Sequence, residues 1–264
     1  MRLNEWITWW ESVCPVSWQD DWDNSGLQIG EGKAPIERIF LSLDFTPQVL
    51  KRAIQVPNSL IFTHHPVFFN DCKSITDETL PGEMILSAIR HGVAVYASHT
   101  PLDKWEHGVN AVLANTLSLK DVRPLEEEAD NPGIGRLARL DGEMGLEQFA
   151  YYAEDACCAQ GGVYYGAKDK PIKTVAVVGG SGASFWKAAQ KKGADVLVTG
   201  DVKHHDALDA VMAGFSIVDL GHYGTERGVL DYLQQFFTEH NPQCSCEVVE
   251  QDVYGNRHIV RNML

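Results

Sequence analysis

The chain has 264 residues, 44 % of them hydrophobic and 22 % charged, enough for one large or two small domains with a real core. Its 22 basic and 36 acidic residues leave a net charge of −14, which disfavours nonspecific attachment to nucleic acid or to an anionic membrane. No apolar run approaches the roughly 18 residues needed to span a bilayer. The opening MRLNEWITWWES lacks a signal-peptide core, and the six cysteines form no CxxC pair. A cytoplasmic protein with reduced thiols is expected.

Residues 3–14 read as an amphipathic helix, with Trp6, Trp9, Trp10 and Val13 at helical spacing in a stripe suited to core or interface. DNSGLQIG, residues 23–30, is turn-rich and then briefly apolar. IERIFLSLD reads as a strand. TPQVLKRAIQ follows as a helix, with Thr46 placed to cap it and Pro47 in its first turn. NSLIFTHH is a strand, EMILSAIRHG a helix, GVAVYASH a strand and HGVNAVLANTL a helix. Residues 121–172 are mixed: an acidic loop with Pro and Gly breakers, LEEEADNPGIG, then a helical LEQFAYYAEDACCAQ. Strand and helix then alternate again through IKTVAVVGG, SFWKAAQKKG, ADVLVTGD, HHDALDAVMAG, FSIVDLGH and ERGVLDYLQQFF. CSCEVVEQD and GNRHIVRNML are candidate edge strands. The expected architecture is α/β: two pseudo-symmetric lobes with mostly parallel sheets, residues 1–125 and 126–264, with the C-terminal strands free to return to the first lobe.

Chemistry-bearing residues recur at equivalent places in the two halves. LIFTHHP ends a strand with His64 and His65; the matching ADVLVTGDVKHH brings Lys203, His204 and His205. ASHTPLD places Asp103 four residues after His99, and GHYGTE places Glu226 four residues after His222. In each, the histidine ends a strand and the acid falls in the first turn of a helix, where the helix N-terminus favours a carboxylate. All of these lie just beyond strand carboxyl ends, where parallel sheets gather their working residues. Neutral imidazole and carboxylate suit a catalytic divalent transition metal. His64, His65, Asp103, His222 and Glu226 are too many for one open site and suit two ions sharing a carboxylate bridge. His99 is either a sixth ligand or, as favoured, the group that orients Asp103; His205 is assigned to proton transfer or substrate contact, and Lys203, Asn24 and Gln28 to substrate. GGSG, residues 179–182, lacks the GxGxxG and Walker patterns and reads as a tight turn. His91, His107, His240 and His258 have no partners in pattern.

These motifs resemble the Nif-three-like dinuclear-metal hexameric proteins, also called type 2 GTP cyclohydrolase 1 homologues. DNSGLQIG, LSLDFTP, THHPVFF, ASHTPLD, GVNAVLA, GGSG, TGDVKHHDALDA and GHYGTERGVL occur in that family's order over nearly the whole chain. The resemblance implies a two-lobed α/β subunit with a metal pair between the lobes and a toroidal hexamer built as a trimer of dimers. Position by position it implies the same ligands: His64, His65, Asp103, His222 and Glu226. Val178 stands where the family often has Cys, and Pro101 where it often has Asn. The family label implies opening of the imidazole ring of GTP with release of formate.

Two functions compete. One is a dinuclear metal-dependent hydrolase acting on a small molecule, a nucleotide if the label transfers, with two divalent ions per subunit drawn from Fe, Zn, Mn, Ni or Co. The other is a non-catalytic metal-binding ring that serves as a scaffold or adaptor. Nucleic-acid binding is poorly matched to a net charge of −14.

Overall fold

The computed structural model describes residues 1–128 and 131–249. In chain order the elements are α1 (Leu3–Val13), β1 (Gly26–Ile29), β2 (Arg38–Ser42), α2 (Pro47–Ala53), β3 (Ser59–Thr63), α3 (Leu80–Arg90), β4 (Ala94–Ala97), α4 (Thr100–Lys104), α5 (Val109–Thr116), β5 (Lys120–Pro124) and β6 (Arg136–Gly145). They continue with α6 (Leu146–Ala156), β7 (Val163–Tyr165), β8 (Pro171–Val177), α7 (Trp186–Lys191), β9 (Val196–Thr199), α8 (His204–Met212), β10 (Ser216–Asp219), α9 (His222–Glu226), α10 (Gly228–His240) and β11 (Ser245–Val248). The C-terminal segment GNRHIVRNML, with His258, lies outside the described residues. No helix among the described residues is long and apolar enough to cross a membrane.

The chain forms two compact α/β units, one of residues 1–102 with the segment from Leu230 onward, the other Asp103–Val229. The Pro/Gly breakers near residues 123–133 do not separate them. That loop is internal to the second unit, because β5 before it pairs antiparallel with β6 after it.

The first unit holds a five-stranded sheet in the order β1-β4-β3-β2-β11. Only β1 runs antiparallel to its neighbour. In register, Phe40, Ile61 and Val95 lie side by side, and so do Leu41, Phe62 and Tyr96. Alternation sends these two rows to opposite faces. The first row meets Val49, Leu50 and Ala53 of α2 and Met84, Ile85 and Ala88 of α3. The second row meets aromatics: Trp6 stands edge-on to Phe62, Tyr96 and Phe237 at 5.9, 5.8 and 5.5 Å between centroids. Trp6 and Trp10 are completely buried, so these two tryptophans of the stripe are core. Burial on both faces explains why β2, β3 and β4 read as continuous apolar runs.

The second unit holds a six-stranded sheet, β5-β6-β8-β9-β10-β7. Its centre, β8, β9 and β10, is parallel, with antiparallel strands on both flanks. Val175, Val177, Val196, Val198 and Val218 pack on α5 and α6, while Ala176, Leu197 and Ile217 pack on α7 and α8. Strands β2, β3 and β4 of the first unit and β8, β9 and β10 of the second are the repeat seen in the sequence.

Helix starts follow local chemistry. The Thr46 hydroxyl accepts from the Val49 amide and Pro47 opens α2. Thr79 accepts from Gly82 and draws the start of α3 back to Leu80, earlier than the apolar periodicity indicated.

Candidate metal centre

Within the first unit the carboxyl ends of β2, β3 and β4 assemble a histidine cluster. The sheet ladder continues past β3, with the amides of His64 and His65 donating to the carbonyls of Ser42 and Leu43 at 3.3 and 2.9 Å, and Ser98 donating to Thr63 at 3.0 Å. The histidines are thus fixed by backbone before their side chains make any contact. One ligand atom from each of His64, His65 and His99 lies within 4.8 Å of the other two. His64 is buried, and His65 and His99 are each 13 % exposed.

Each of these imidazoles has its Nδ1 committed. His64 Nδ1–H donates to the Ser98 carbonyl at 3.0 Å, His65 Nδ1 meets Asp44 at 2.8 Å, and His99 Nδ1 meets Asp23 at 2.9 Å. An Nδ1–H donated to oxygen puts the lone pair of the neutral ring on Nε2 and fixes its direction, the arrangement common to metal-ligating histidines. His99 was expected to orient Asp103; its Nδ1 partner is Asp23.

Asp23 is the residue the sequence reading missed. Its side chain is fully buried and accepts from His99, from the Ser25 hydroxyl at 2.9 Å, and from the amide and hydroxyl of Thr100 at 3.1 and 2.6 Å. Burial pushes its carboxyl upward, but the donors from His99, Thr100 and Ser25 outweigh that and hold it well below the usual carboxylate range. The signal was present as the first residue of DNSGLQ. Asn24 and Gln28, expected to contact substrate, have amides engaged nearby: Asn24 Nδ2 donates to the Phe68 carbonyl at 2.7 Å, and Gln28 Nε2 to the Asn24 carbonyl at 2.9 Å.

Within the second unit, Gly221 takes φ +74° and turns the chain from β10 into α9, which presents His222 and Glu226 one turn apart. His222 Nε2 stands 3.2 Å from Glu226 Oε1, and its Nδ1 meets Asp201 at 2.6 Å. Burial pushes the Asp201 carboxyl up, and hydrogen bonds from His222 and Ser181 more than offset this, lowering it. Glu226 is 4 % exposed. The GGSG turn is built around this pair. Gly180 has φ +63°, and a Cβ there would collide with Glu226 Oε1 and come within 3.2 Å of His222 Nε2. The amides of Gly179, Gly180 and Gly182 donate to Asn110, Thr225 and Thr199. The turn therefore spends these donors within the protein and makes room beside a carboxylate; it is not a phosphate cradle.

Asp103 lies on α4. Arg136, buried at the start of β6, donates to the carbonyls of Lys104 and Trp105, both at 2.8 Å, and to those of Gly133 and Gly135. Burial lowers the Arg136 guanidinium from its usual value, opposed by the nearby charges of Asp103 and Glu106. Lys203, His204 and His205 are exposed, at the start of α8. His91 and His240 bond carbonyls four residues back at their own helix ends.

Imidazole and carboxylate donors with oxygen-held Nδ1 atoms, and a glycine that leaves space against one carboxylate, fit a divalent transition metal. Residues 1–256 match the family described as Duf34/NIF3 (NGG1p interacting factor 3). A Clostridium perfringens protein named GTP cyclohydrolase 1 type 2 homolog is 35 % identical over 235 residues, covering 87 % of this chain and 88 % of its own length. A Helicobacter pylori protein named GTP cyclohydrolase 1 type 2 is 34 % identical over 220 residues, covering 82 % and 83 %. The crystal structure of a Staphylococcus aureus hypothetical protein superposes with a TM-score of 0.90 at 28 % identity, covering 98 % of this chain and 99 % of that one.

Proposed function

Because the chain belongs to the Duf34/NIF3 family, we propose that it is a metal-dependent hydrolase of the GTP cyclohydrolase 1 type 2 kind, with His64, His65, Asp103, His222 and Glu226 holding two divalent ions. The supporting observation is the treatment of the imidazoles: His64, His65, His99 and His222 each have Nδ1 bound to a carbonyl or carboxylate oxygen. Burying or half-burying that many oriented rings serves no packing purpose that an apolar residue would not serve better. When bound, such a metal pair polarises the scissile group and lowers the pKa of coordinated water. His99 adds a sixth donor beside His64 and His65. His205, at the exposed start of α8, moves the proton, and Lys203 beside it attracts an anionic group. Asn24 and Gln28 hold the segment after HHP in place. The nucleotide substrate follows from the names of the relatives, and formate is the product to measure.

Elemental analysis should approach two metals per chain. His64→Ala and Glu226→Ala should lose most of that metal, and Asp103→Asn should lose metal and turnover together; His240→Ala should lose neither. His205→Ala should keep its metal and lose about 10²–10⁴-fold in turnover, the usual share of an acid–base group. Equal metal content in His64→Ala, Glu226→Ala and His240→Ala would sink the ligand set. Intact GTP with every candidate metal would remove the cyclohydrolase reading and leave a hydrolase with a different substrate against the scaffold.

A further inference from the structure

Beside the histidine cluster of the first unit is a cleft of about 730 Å³, lined by Trp22, Asp23, Asn24 and residues 68–75. Its size falls in the range of small-molecule sites. Two aromatic side chains on its wall are left exposed: Trp22 at 61 % and Phe69 at 50 %. Both meet the His99 ring nearly at right angles, Trp22 at 5.5 Å and 79°, Phe69 at 5.4 Å and 85°. Phe69 also lies 6.3 Å from His65.

The groups beside these rings are anchored. His99 is held by buried Asp23, and the backbone just before Phe69 is tied to Asn24 through the Phe68 carbonyl and to Gln28 through its amide. The polar groups nearest them, Asp23 and Asn24, are already engaged within the protein. Beside the polar side chains of Asn70, Cys72 and Ser74, the wall offers a ligand two aromatic surfaces, the carboxylate of Asp71 and the ammonium of Lys73. Exposed aromatic faces in a cleft bind planar rings through stacking that is tolerant of the ring's identity. Asp71 accepts from ring or exocyclic N–H groups, and Lys73 pairs with an anion.

We propose that Trp22 and Phe69 form a stacking clamp for a planar nitrogen heterocycle bearing an anionic substituent, presenting it beside His65 and His99. This rests on the hydrolase reading above in placing the ring at that reaction site, and it names the two side chains that hold the substrate's base.

The test is titration calorimetry on the full-length, metal-loaded protein with GMP as the probe and ribose 5-phosphate as the same anion without the ring. GMP should bind and ribose 5-phosphate should not compete. Trp22→Ala and Phe69→Ala should each weaken GMP binding about tenfold or more with metal content unchanged, and Phe69→Tyr should restore it. Both residues are exposed, so their truncation leaves the core intact. Absence of GMP binding, equal binding of ribose 5-phosphate, or wild-type affinity in both alanine variants would overturn the clamp. Because the readout is binding, the two readings fail separately. Ring-dependent GMP binding in a protein that leaves GTP intact keeps the clamp and removes the cyclohydrolase. GTP turnover with binding indifferent to Trp22 and Phe69 does the reverse.

Discussion

His64 and His65 were legible because a paired histidine at the end of an apolar run has few structural reasons to exist. Asp23 was not, because its partner His99 lies 76 positions away and an aspartate before Asn-Ser-Gly is, locally, only a turn former. Its importance comes from accumulated donors: one imidazole, two hydroxyls and two amides converge on one buried carboxylate. Asp23→Asn keeps the shape and removes the charge that holds His99 as an Nδ1–H donor. The expected result is a 10–100-fold loss of metal affinity, as for other groups that orient metal-bound imidazoles, read by competition with a chromogenic chelator. Wild-type affinity in this variant would show that the ring is held by packing alone.

At the level of elements, the alternation of apolar runs and helices was enough to place the parallel strands β2, β3, β4, β8, β9 and β10. The antiparallel flanks escaped. β6 is ten residues long, yet its pairing with β8 shifts register between Arg139 and Met144, so RLARLDGEMG never shows a clean period. That strand matters because it starts at Arg136. A five-residue helix such as α4 has almost no stability of its own, and Arg136 supplies what it lacks by bonding two carbonyls at its end. Arg136→Met should remove one donor from each of four buried carbonyls, of which Trp105 and Gly135 keep the amides of Gly108 and Leu125. Hydrogen bonds to charged groups contribute roughly 1.5–3 kcal/mol each and are not additive, so a loss of at least about 3 kcal/mol is expected in urea unfolding. Because α4 carries Asp103, the folded variant should also bind less metal. Unchanged metal content at full folding would assign Arg136 to stability alone.

For the whole molecule, the family resemblance leads us to propose a hexamer, a trimer of dimers. Sedimentation at micromolar concentration should find a particle of six 29.3 kDa chains, and a monomer alone would refute it. The division of the chain carries a further consequence, for biosynthesis. The second unit is one uninterrupted run, Asp103–Val229, inserted between the two parts of the first. On a ribosome it is finished while the first sheet still waits for β11, whose Ser245 pairs with Arg38 across 207 positions. Until that strand emerges, β2 is an open edge, a template for pairing with other chains, and closing so long a loop is slow. The His222–Glu226 pair can therefore mature during synthesis, whereas the unit bearing His64, His65 and His99 completes its sheet only after β11 has emerged. Premature termination before Ser245 would release a chain with half its donors on a finished scaffold and the other half beside an exposed strand.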